Sequence, residues 1–90
     1  MADTLKNIRS KFVSSVSKTV IHQLLDDLLD DKILNDGEVE HIKDGTSMRA
    51  EKARSLIDMV RNKGDTASHI LIKRLKEQDP MLSKNLGLDS

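Results

Sequence analysis

Residues 20–40, VIHQLLDDLLDDKILNDGEVE, join an apolar stripe to an acidic one. Val20, Ile21, Leu24, Leu25, Leu28 and Leu29 recur at helical spacing, which puts them on the inner side of one helix. His22, Gln23, Asp26, Asp27, Asp30 and Asp31 fill the other side. Asp26 with Asp30, and Asp27 with Asp31, stand at i,i+4, where like charges cost roughly 0.2–0.5 kcal/mol per pair. A helix selected for stability alone would intersperse lysines there. A carboxylate stripe that opposes its own helix points to a use for the charge, most simply a basic partner. The competing reading is a solvated face.

Outward from this stretch the chain reads as further short helices. Upstream, Leu5, Ile8, Phe12 and Val16 lie along one face of a first helix, with Asp3 as a plausible N-cap. The run Ser14-Ser15-Val16-Ser17 predicts a bend or an end, because serines compete for the backbone. Lys6, Arg9 and Lys11 fall off the stripe and are expected to be exposed. Ser17 or Thr19 caps the second, acidic helix. Downstream, Asn35 to Glu38 has the pattern of a capping box opening a short third helix. Val39 and Ile42 are its apolar residues, and Asp44-Gly45 ends it.

Ser47 is expected to cap a fourth helix, with Ala53, Leu56, Ile57 and Val60 inward and Arg49, Lys52, Arg54 and Arg61 mostly outward. Gly64 stops it. Asp65 or Thr66 opens a fifth helix, with Ala67, Ile70, Leu71 and Leu75 inward. Asp79-Pro80 restarts the chain as an N-cap followed by proline at N1. Met81, Leu82 and Leu86 are expected to pack this sixth helix, and Gly87-Leu88 to close it in a Schellman motif. No segment shows β alternation. The fold class is therefore all-α, with short loops that predict antiparallel neighbours.

The 90 residues suit one domain with a modest core. No cysteine is present, so there is no disulfide framework and no thiol nucleophile or ligand. The N-terminus lacks the apolar run of a signal peptide, and no segment approaches a membrane span. A cytoplasmic location is the default expectation. His22 and Asp26 are i,i+4 but make a poor metal site without further ligands. No metal or other cofactor is expected, and no catalytic constellation is visible.

Net charge is zero, yet the charges are segregated. Residues 1–18 carry +3, residues 19–44 carry −6, residues 45–64 carry +3, and residues 65–90 balance. A dipolar surface of this kind can pair plus face to minus face with copies or relatives of itself. It argues against bulk nucleic-acid binding, which wants a net basic domain.

The segments LLDDLLDDKILNDGEVEHI (24–42), KARSLIDMV (52–60) with Lys63-Gly64, DPMLSKNLGL (79–88) and the opening MADTLKNIRSKF resemble a caspase recruitment domain (CARD) of the death-fold superfamily. In order and spacing they are most similar to the prodomain CARD of inflammatory, interleukin-1-converting caspases and to related CARD-only proteins. The resemblance covers residues 1–88, leaving 89–90 as an expected frayed tail. It implies a six-helix antiparallel Greek-key bundle with a bent first helix. It also implies homotypic CARD–CARD binding, often in filaments, that brings caspase zymogens together. The caspase nucleophile belongs to a separate domain, so this segment is not expected to be an enzyme.

In that family one main contact sets a basic face of helices 1 and 4 against an acidic face of helices 2 and 3. Carried onto this chain, the acidic side is Asp26, Asp27 and Asp30 with Glu38 and Glu40 behind them. The basic side is Arg9, Lys52 and Arg54, with Lys6, Lys11 and Arg49 as neighbours. Ser10 and Ser14 stand where the relatives often carry bases, which shifts the expected basic patch toward helix 4. Glu51 and Asp58, at helical spacing from Arg54, compete for its charge. Expected partners are other CARDs and the chain itself, with no membrane and no nucleic acid. The readings left open are an activating caspase prodomain and a CARD-only decoy that blocks recruitment. A small helical nucleic-acid binder using the helix 4 bases is the alternative of another class, opposed by neutral charge and a single aromatic, Phe12.

Overall fold

The computed structural model describes residues 2–88, so the expected tail at 89–90 lies outside the described residues. Six helices run α1 (Ala2–Ser15), α2 (Lys18–Asp30), α3 (Asp36–Asp44), α4 (Arg49–Asn62), α5 (Asp65–Gln78) and α6 (Pro80–Asn85). Among the described residues there is no strand. The most extensive packing joins elements distant in the chain, α1 on α4 and α2 on α5. Sequential neighbours from α2 to α6 also pack in turn, and this interleaving is what a Greek-key bundle requires.

The local signals act as read. Ser17 accepts a hydrogen bond from the Val20 N–H at 3.1 Å and opens α2. Asn35 and Glu38 form a complete capping box at the start of α3, with both reciprocal bonds made. Asp79 accepts from the Leu82 N–H at 3.0 Å, with Pro80 in the first turn of α6. Gly87, at φ 77°, closes α6, where the Leu88 N–H donates to the Ser83 carbonyl and the Gly87 N–H to that of Lys84. Those two bonds are the Schellman pair. Gly64, at φ 106°, turns the chain between α4 and α5. The serine run ends the first helix, with α1 continuous to Ser15.

The core is aliphatic around one aromatic. Phe12, Leu5 and Val16 of the first segment meet Ile21, Leu24, Leu25 and Leu28 of α2, Leu56, Ile57 and Val60 of α4, and Leu71 and Leu75 of α5. Ile72 also faces this core, whereas the expected Ile70 is only half-buried. Two expectations fail locally. Met81 is 71% exposed, because Leu82 and Leu86, one turn apart, already form the inner edge of a six-residue helix. Ser47 does not cap α4: the N-cap is Met48, and its N–H donates to the Thr46 hydroxyl at 3.1 Å.

Lys52 is the larger correction. It was expected on the outer basic face but is 2% exposed. Its ammonium donates to the Ile42 carbonyl at 3.3 Å and to that of Lys43, at the C-terminal end of α3. A buried cation there satisfies carbonyls that the helix leaves unpaired and complements its dipole. Replacing it with a side chain of similar length, Lys52→Met, is expected to cost about 1–3 kcal/mol. Urea denaturation should show that loss, with weakened exchange protection confined first to α3. Unchanged stability would contradict this role.

Candidate protein interface

The acidic side divides into open and engaged carboxylates. Asp30 and Glu40 are exposed and make no side-chain hydrogen bond or ion pair with another described residue. Asp26 is exposed and meets the Lys43 ammonium at 3.3 Å, a contact that water screens. Asp27 is half-buried and accepts from the Gln78 side-chain amide at 2.6 Å. Glu38 is held inward by its capping bond and by Lys63 at 2.9 Å, and both lower its pKa, the lysine most. The free face therefore centres on Asp30, Asp26 and Glu40, not on Asp27 or Glu38.

Asp31, the C-cap of α2, braces the bundle. It accepts two hydrogen bonds from Arg74 of α5, each at 2.7 Å, which fix the α2–α5 pair with the geometry of a forked guanidinium. That contact lowers the Asp31 pKa and raises that of Arg74.

The basic side is less open than its composition suggests. A groove of about 380 Å³ between α1 and α4 is lined by Arg9, Arg49 and Arg54, with Ser10 and Ser14 on its α1 wall and Val13 and Ala50 between. Arg9 donates to both carboxylate oxygens of Asp58, at 2.8 and 2.9 Å, which lowers the Asp58 pKa. Arg54 is paired with Glu51 one turn before it. The expected Arg54–Asp58 pair is absent, because Asp58 is taken by Arg9 across the α1–α4 seam. Arg49 donates to the Val13 and Val16 carbonyls, at 2.6 and 2.9 Å, where α1 ends without a basic residue in its last turn. Lys11 donates to the Asn85 carbonyl at 2.7 Å and ties α1 to the end of α6. Lys52 is internal and leaves the face entirely.

Sequence reasoning missed Asp58 as the partner of Arg9, since 49 residues separate them. A signal for Lys52 was present: it stands four before Leu56 and eight before Val60, on the apolar stripe of α4. Among the described residues no group of three or more histidine, cysteine or acidic side chains could hold a metal. No described helix is long and apolar enough to cross a membrane.

Comparison with known proteins follows the same outline. The model for "Caspase recruitment domain" matches residues 2–89. The chain is 42% identical over 91 residues to "Caspase-1" of Equus caballus, covering all of this chain and 22% of that protein. It is 38% identical to "Caspase recruitment domain-containing protein 18" of Homo sapiens, covering 98% of this chain and 99% of that one. The solution structure of ICEBERG, titled an inhibitor of interleukin-1β generation, superposes with a TM-score of 0.86 at 36% identity, over 94% of this chain and 96% of that one. The chain spans under a quarter of the caspase-1 relatives' length.

The titrating groups predict a two-stage loss of stability on acidification. Burial lowers the His22 pKa, helped by Lys52, Lys43 and Lys18 and opposed by Asp26; its Nε2 is buried without a partner among the described residues. The unfolded chain therefore binds this proton first, and stability falls as pH drops below about 6.5. Asp31, Glu38 and Asp58, all lowered, contribute stability that is present above about pH 4 and lost as pH falls through their folded values. Urea titrations across that range should show both stages. His22→Gln should remove only the upper one, and an unchanged upper stage in that variant would contradict the assignment.

Proposed function

The chain is a caspase recruitment domain, and from that premise we propose that it binds other CARDs, those of inflammatory caspases among them, through the carboxylates of α2 and α3. The observation that carries this reading is the open state of Asp30 and Glu40 beside the lightly paired Asp26. Uncompensated charge on one side of a neutral domain steers a basic partner face and sets register. The domain acts by binding, with no chemistry of its own, and works in the cytoplasm. Pairing of an acidic face to a basic one is heterologous, so it does not close a dimer and extends into a filament wherever both faces are open. Recruitment by this route would bring inflammatory caspase zymogens together, upstream of cytokine processing or cell death.

A second reading is favoured by the engaged arginines: a decoy that occupies the partner and stops recruitment. The similar ICEBERG structure belongs to an inhibitor of interleukin-1β generation, and the same outcome suits this chain. A nucleic-acid role finds no support, because three of the four α4 bases that would serve it are internal or paired, and Arg61 alone is half-buried.

Asp30→Lys is expected to leave helical content and melting temperature unchanged and to weaken binding to the matching segment of caspase-1 by at least about tenfold, or 1.4 kcal/mol. Calorimetric titration measures it. Unaltered affinity with both Asp30→Lys and Glu40→Lys would remove the acidic face from the contact.

A further inference from the structure

We infer that Glu51 and Asp58 are built-in counter-ions that hold the basic face closed, so that this chain engages another CARD through α2–α3 alone and terminates a head-to-tail assembly instead of extending it. This inference rests on the acidic-to-basic pairing proposed above.

Arg9 and Arg54 are the two arginines of the α1–α4 groove that could meet a partner's carboxylates, and each already holds one from its own chain. The Arg9 fork presents two N–H groups to Asp58 in parallel, the strongest geometry a guanidinium offers a carboxylate. An incoming aspartate would only exchange one carboxylate for another. It would also strand Asp58, or meet it as a like charge. Glu51 places a weaker obstacle of the same kind at Arg54, since that pair within one helix turn is open to water. Arg49 is directed at the α1 carbonyls and Lys52 is buried, so neither replaces them. Lys6 and the half-buried Arg61, whose charge also acts on Asp58, are the described cations of α1 and α4 left without a hydrogen bond or ion pair. Ser10 and Ser14 add no charge to the groove wall. On the acidic side Asp26, Asp27 and Glu38 meet Lys43, Gln78 and Lys63, but Asp30 and Glu40 stay open. One face works and the other is self-occupied.

The test removes the mask. The double variant Glu51→Gln, Asp58→Asn keeps side-chain shape and frees both arginines. Light scattering against concentration is expected to show wild type as a single small species. The double variant should self-associate at least about tenfold more tightly. High salt should suppress that association, and adding Asp30→Lys should abolish it. Glu51→Gln alone, on an exposed pair, gives a smaller gain and serves if the double variant fails to fold by circular dichroism. The caspase-1 segment that aligns with this chain is the binding probe. Wild type should bind it and shorten its assemblies. If wild type binds the probe while the unmasked variants gain no self-association, the inference fails and the pairing reading stands. Spontaneous wild-type growth that Asp30→Lys stops has the same meaning. If wild type does not bind the probe at all, the pairing reading fails and takes the inference with it.

Discussion

Four side chains of α2, Ile21, Leu24, Leu25 and Leu28, have no exposure to solvent, and the placement of the α2 carboxylates follows from that seam. Fixing one face of a helix fixes the other. With the leucines driven into the core, Asp26 and Asp30 must emerge together on the outer side, one turn apart, against the preference of the isolated helix. Asp31 emerges at the border and is caught by Arg74, which locks α2 to α5 and so holds the acidic face at a set angle to the bundle. The hydrophobic effect thus places the charges, and their mutual repulsion is borne by burial energy that a surface helix would lack.

The same bundle closes on its cations. Lys52 enters the core to serve the end of α3, Arg49 reaches back to the end of α1, and Arg9 crosses from α1 to α4 for Asp58. With Lys11, which reaches the end of α6, four of the six bases assigned to the basic side are therefore structural connectors between helices. Arg54 is neutralised within its own turn. Total charge per segment does not distinguish these from free charges, which is why a +3 block can present a weak face while a −6 block presents a strong one.

The division between what was legible in the residues and what was not follows the range of the interaction. Ser17, the Asn35–Glu38 box, Asp79-Pro80 and the Gly87-Leu88 close were all readable, because each is a rule over three to five neighbouring residues. Helical periodicity likewise exposed the core of α2 and the inner face of α4. Arg9–Asp58, Arg74–Asp31 and Gln78–Asp27 were not readable, since each joins positions more than 40 apart that only packing brings together. Lys52 lies between these cases: periodicity marked it as inward, and its charge argued for the outside. Met81 failed in the opposite sense, an apolar residue with no core left to reach in a helix of six residues.

The central claim is that α2–α3 is the working contact and that α1–α4 is closed by its own carboxylates. Amide and methyl chemical shifts of the wild-type chain, followed as the matching caspase-1 segment is added, test it most directly. The account predicts perturbations centred on Asp26, Asp30 and Glu40, with Arg9, Arg54 and their counter-ions silent. Perturbations centred on Arg9 and Arg54, with the acidic side unchanged, would contradict it.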